Sequence, residues 1–196
     1  MSFILDAFEP AFMQRALIGS LLAIVAASLV GTWVVLRGLA FLGDALAHGV
    51  IPGIALAVLF GFNPLLGAFV AAVVMTGLIT FVSNRTVMRD DTSIGLLFVG
   101  MLSLGVVIVS TADSFSTDVT TILFGDALGV SKSDIRNQAI ATAFVVSSTM
   151  LLYRPFLALT FNETKAATLG MRPKLTQAAL PGLLSVSIVS SFQTIG

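Results

Sequence analysis

Apolar residues run along this chain in six long blocks, at about residues 13–36, 39–62, 64–83, 93–112, 134–153 and 175–196, separated by short polar or charged breaks. A helix needs about 20 apolar residues to cross the hydrocarbon core of a bilayer, and each block is long enough. No segment has the roughly ten-residue alternation of apolar and polar positions that marks a transmembrane β-strand. The pattern therefore predicts an all-α, polytopic helical bundle with about six membrane-spanning helices. Asn63-Pro64 marks a tight turn between the second and third. Residues 113–133 carry only a short apolar core, Ile122 to Leu128, and read as a short outer-side or re-entrant helix. Residues 154–174 form the longest loop on the opposite side. Within it Asn162 can cap a short helix, Gly170 can end it, and Pro173 lies just beyond.

Composition agrees: 57% of residues are hydrophobic and 10% charged, against roughly 25% charged in a soluble domain, and the mean hydropathy is +1.03. Ten basic and ten acidic residues balance, so net charge gives no sign of nucleic-acid binding. The absence of cysteine excludes disulfides and thiolate metal sites. Asp6 and Glu9 precede the first apolar run, unlike the positive start of a signal peptide. With the N-terminus outside, Arg37, Arg85, Arg89, Arg154, Lys165, Arg172 and Lys174 fall inside, and Arg15, Lys132 and Arg136 outside. The positive-inside rule favours this orientation. The last apolar run stops at Gly196 without an interface anchor. The expectation is one transmembrane domain over residues 1–196, incomplete at its C-terminus.

Asp44 and His48, the only histidine, stand four residues apart in the second block. On a helix they point the same way, one turn apart. A charged Asp at the centre of a membrane helix costs about 2.5–3.5 kcal/mol, and such residues ordinarily face a bundle interior or a pathway. Pro52 lacks an N–H, so the His48 carbonyl loses its helical donor. A carboxylate, an imidazole and a freed carbonyl suit Mn²⁺, Fe²⁺ or Zn²⁺. The same pair could also be a structural tie between helices or a proton relay. Ala45, Gly49, Gly53 and Ala57 form a small-residue stripe that permits close helix approach. Gly95, Gly100 and Gly105 also read as packing positions, Arg85 as a solvated helix end, and Trp33 as an interface anchor.

These residues carry a family resemblance. Arg37, then Phe41-Leu-Gly43-Asp44-Ala45, then His48 and Pro52-Gly53 resemble the second-helix signature of the ABC-3 family, the membrane permeases of bacterial ABC importers for manganese, zinc and iron. Leu123-Phe124-Gly125 with Gly129-Val130-Ser131 resembles the family's short outer helix. Glu163 to Gly170 resembles its coupling helix. Two features depart from the family pattern: Ala47 and Gly49 replace the usual Ser and Ala beside the histidine, and family permeases are longer. The resemblance implies a multi-pass permease of the bacterial cell membrane. Two permeases, two ATPase subunits and an extracellular or periplasmic metal-binding protein would make up the importer. Asp44 and His48 would bind the transported Mn²⁺ or Zn²⁺ transiently, with no permanently bound cofactor. Glu163, Ala166, Ala167 and Gly170 would transmit the ATPase motion, and Gly49, Pro52 and Gly53 would shape the helix.

Read without the resemblance, residues 161–170 are a capped loop helix or a segment docking on a soluble partner. The chain has no Gly-x-x-x-x-Gly-Lys-Ser/Thr loop and would not bind ATP through one. Two other functions compete: a non-transporting accessory subunit of the same family, and an intramembrane hydrolase built on Asp44 and His48, for which no partner nucleophile pairs with them among Ser103 and Ser110. An imidazole binds metal only when unprotonated. Binding of Mn²⁺ or Zn²⁺ should therefore weaken on acidification; binding measured at about pH 7.5 and 5.5 that agrees would count against His48.

Overall fold

The computed structural model describes residues 10–39, 41–85, 90–111, 129–192 and 194. Among them are nine helices: α1 Ala11–Leu36, α2 Leu42–Gly49, α3 Ile51–Leu59, α4 Pro64–Arg85, α5 Asp90–Ser110, α6 Lys132–Leu151, α7 Tyr153–Phe161, α8 Glu163–Thr168 and α9 Pro173–Ser191. Five of the six apolar blocks contain one long helix each, and the second is split into α2 and α3. By length and composition, α1, the α2–α3 unit, α4 and α5 can each cross a membrane, and α6 with α7 makes a fifth span bent by 57°. The sixth block, α9, is the exception. It is polar along part of its length and lies at the centre, packed against α1, α2, α4 and α6. Its Thr176, Ser185 and Ser187 are buried with Leu180, Leu183 and Leu184. A helix surrounded by protein can carry hydroxyls that a lipid-facing helix cannot leave unpaired. Ser185 Oγ donates to the Pro181 carbonyl at 2.8 Å and meets Thr76 Oγ1 of α4 at 3.0 Å.

The split at Val50 follows from Pro52. With no donor at residue 52, the chain tightens, and the N–H groups of Gly53 and Ile54 both donate to the Val50 carbonyl, at 3.0 and 3.1 Å. Beyond the split, α3 and α4 run antiparallel and touch backbone to backbone. A Cβ on Gly53 would collide with the Gly67 carbonyl oxygen and stand 2.5 Å from the Ala71 Cβ; one on Gly67 would collide with the Gly53 carbonyl oxygen and stand 2.6 Å from the Ala57 Cβ. The stripe Ala45, Gly49, Gly53, Ala57 is thus a packing seam, continued where Gly49 abuts Met75. The turn at Asn63-Pro64 is present: Gly61 takes φ +71°, and Asn63 Oδ1 accepts from the Leu65 N–H at 2.9 Å.

Two expectations are corrected, and that for Arg85 is met. Gly105 packs on Ile51 and Pro52, but a Cβ on Gly95 or Gly100 would meet open space, so these two are not packing glycines here. Trp33 is buried rather than set out at the interface, its ring 5.5 Å from those of Tyr153 and Phe156. Arg85, at an exposed helix end, lies 5.5 Å from the centroid of the Phe81 ring. Residues 112–128, which include most of the expected outer helix, lie outside the described residues; Ser131 just after them opens α6 through a reciprocal capping box with Asp134.

Gly53→Ala should cost about 1–3 kcal/mol by overpacking the α3–α4 seam. Gly100→Ala should be neutral or slightly stabilising. Thermal midpoints of the detergent-solubilised variants check this; equal midpoints would refute the backbone contact.

Candidate metal site

The buried face of α2 is formed by Leu42, Ala45, Leu46 and Gly49. Asp44 and His48 stand on the opposite face. His48 Nε2 is 3.4 Å from Asp44 Oδ1, and the two side chains are 50% and 59% exposed respectively. Both point the same way, as their spacing requires, but away from the core formed by this chain. The expectation that they face a bundle interior does not hold among the described residues.

The pair is held from two sides. The N–H of Phe41 donates to Asp91 Oδ1 on α5 at 3.2 Å, which fixes the start of α2. The two helices then run side by side in register, so that Phe98 reaches His48, ring centroids 5.9 Å apart and planes at 53°. Pro52 and Gly105 continue the same contact one turn beyond the split. Phe98 was not legible in the sequence, because nothing in an all-apolar α5 marks which residue meets α2.

At 3.4 Å the pair is looser than a good hydrogen bond. Two donor atoms at about 2.0–2.2 Å from a shared ion, at angles between octahedral and tetrahedral, stand about 3.0–3.5 Å apart. The observed separation falls in that range, so the pair presents a ready two-point bite. No third Asp or Glu, or other cluster-forming ligand, joins it among the described residues.

The loop helix forms as expected but is short. Asn162 accepts from the Ala166 N–H at 3.0 Å through its carbonyl, and Gly170, at φ +72°, ends the helix with the Met171 N–H donating to Ala166 O. Ala166 is fully buried against the chain, whereas Ala167 and Gly170 are exposed. Of the expected coupling residues, Ala166 therefore anchors α8 rather than presenting a surface. Glu163 lies at its first position; its side chain is not among those described. Exposed Phe161 and Leu169 flank α8, apolar positions that the sequence reading passed over.

Residues 9–196 match the ABC 3 transport family. The chain belongs to that family. It is 34% identical over its whole length to the manganese transport system membrane protein MntC of Listeria monocytogenes, spanning 70% of that protein. It is 36% identical to the manganese import system permease protein ScaB of Streptococcus parasanguinis, over 94% of this chain and 66% of that one. A probable iron transport system membrane protein of Haemophilus influenzae is 31% identical over 98% of the chain and 71% of its own length. Among solved structures, a chain of PsaBC from Streptococcus pneumoniae, in complex with Fab, superposes with a TM-score of 0.80 at 30% identity, covering all of this chain and 70% of its own. The chain thus spans about two thirds of the length of the relatives it matches. It is a multi-pass membrane protein of permease type.

Because the pair is exposed and loosely joined, it contributes little to stability. Asp44→Asn and His48→Gln should leave the unfolding free energy within about 0.5 kcal/mol, read from thermal midpoints. A large loss in either would make the pair a structural tie.

Proposed function

We propose that this chain is the membrane-spanning permease subunit of an ABC importer for a divalent transition-metal ion, with residues 1–196 acting as one permease domain. Asp44 and His48 would coordinate the ion in passage. The observation that carries this reading is the 3.4 Å bite between His48 Nε2 and Asp44 Oδ1, set on an exposed face of a membrane helix. A carboxylate facing lipid is costly, so this face calls for a cover or a water-filled path. A second copy of the permease would supply both, bringing two pairs towards one pathway and making up for the missing third ligand. One carboxylate and one neutral imidazole are strong enough to replace part of a hydration shell and weak enough to release the ion.

The names of the relatives favour manganese, with iron next; zinc is compatible with the donor set. ATP binding and hydrolysis would be the work of a separate ATPase subunit that docks on α8 and the exposed Phe161 and Leu169, driving alternating access. An extracellular or periplasmic protein would deliver the ion. The basic ends of α1, α4 and α6–α7, at Arg37, Arg85 and Arg154, favour a cytoplasmic location for that side and an outside N-terminus.

The test is accumulation of Mn²⁺, Zn²⁺ and Fe²⁺ in cells expressing the chain with its ATPase and binding protein. Asp44→Ala and His48→Ala should each lower uptake at least tenfold with assembly intact. Unchanged uptake in both would remove the pair from the path, and no uptake in the wild type would favour a non-transporting accessory subunit.

A further inference from the structure

A metal-binding imidazole is ordinarily fixed by a hydrogen bond from its second ring nitrogen to a carboxylate or a backbone carbonyl. His48 has no such partner among the described residues: the one polar contact of its ring is Asp44 Oδ1, 3.4 Å from Nε2. The side chain is half exposed, and the terminal torsion of a histidine is broad. Asp44 alone, beyond the distance of a good hydrogen bond, would leave the ring free to turn. The other group that touches it is the ring of Phe98, at 5.9 Å between centroids and 53° between planes, within the range over which aromatic rings attract.

Phe98 is itself held. It packs on the largest apolar cluster of the core, beside Leu97 and Met101, and α5 is tied to α2 and α3 on either side of it. Asp91, seven residues earlier, accepts from the Phe41 N–H at 3.2 Å. Gly105, seven residues later, lets α5 close on α3, since a Cβ there would stand 3.1 Å from Ile51 Cγ2. Seven residues are about two helical turns, so Asp91, Phe98 and Gly105 share one stripe of α5. The outer two set the register, and the middle one falls on the imidazole. We propose that Phe98 is a positioning residue for His48, holding the imidazole so that Nε2 faces Asp44 Oδ1. This role rests on the reading of the pair as an ion-binding bite. A ring contact orients the imidazole without accepting its proton, so it does not raise the basicity of the ligand as a hydrogen-bonded carboxylate would. The ligands are thus aimed in advance while the bond to the ion stays weak enough to break.

His48 is the only histidine, so a chain grown with isotope-labelled histidine gives one set of ring signals by NMR. Their relaxation reports the mobility of this imidazole with no metal present. In the wild type the ring should be nearly as rigid as the backbone. Phe98→Leu keeps apolar bulk between α2 and α5 but removes the ring. It should mobilise the imidazole and weaken Mn²⁺ binding about tenfold, read from the EPR signal of free Mn²⁺. Phe98→Tyr keeps the ring and should preserve both properties. An imidazole equally rigid in Phe98→Leu would overturn the role whatever the metal does. So would wild-type Mn²⁺ affinity in that variant, or a Phe98→Tyr that behaves as Phe98→Leu does. A wild type that binds Mn²⁺ no better than His48→Gln would instead overturn the ion-binding reading, and the positioning role with it, even where Phe98 holds the ring.

Discussion

The contact between Gly53 and Gly67 is the constraint on which the placement of Asp44 and His48 depends. Two backbones meet there without side chains between them, which fixes α3 on α4 at the closest distance helices allow. The seam runs on through Gly49 and Met75, so α2 is pressed onto the same neighbours with its small face inward. Once Ala45 and Gly49 are committed to that contact, Asp44 and His48 can only point outward. In a bilayer the driving force for such packing is van der Waals contact and not removal of apolar surface from water, so it is the absence of side chains at these two glycines that orients the pair.

Much of the architecture was legible in the chain. The apolar blocks gave the helices to within a few residues, because crossing a bilayer imposes a minimum length that composition records directly. The shared face of Asp44 and His48 followed from spacing alone, and the ends of α3 and α8 from Asn63, Pro64 and Gly170. What was not legible is which side of each helix meets protein. Lipid-facing and protein-facing sides are both apolar, so α1, α4 and α5 carry almost no directional pattern. Gly95 and Gly100 were therefore assigned to packing on residue type alone, and Trp33 to the interface, while the contact from Phe98 to His48 went unseen. The central position of α9 was hidden for a related reason: its hydroxyls read as weak membrane character, whereas burial among four helices is what accommodates them.

In the proposed function the Asp44–His48 pair is a transit point. Its separation suits a shared ion, but two ligands leave most of a coordination sphere to water or to a neighbour. A complete set of four to six protein ligands would hold an ion as a structural centre does. Partial coordination on an accessible face is consistent with the transport proteins the chain is similar to.

The bend between α6 and α7 has a mechanical consequence. Two hydrogen bonds meet at the joint, from the Leu152 N–H to the Ser148 carbonyl and from the Phe156 N–H to the Leu152 carbonyl, while Pro155 has no N–H to offer the Leu151 carbonyl, and the chain turns there by 57°. Phe156, fully buried against Trp33, seats the near end in the bundle, and α8 rides on the far end. With nine residues, α7 is a lever of about 13 Å, on which a rotation of about 5° at Leu152 displaces α8 by about 1 Å. Force applied at α8 thus returns to the bundle by two routes, as torque about the Phe156–Trp33 contact and directly through the contacts of α7 and α8 with the central α9.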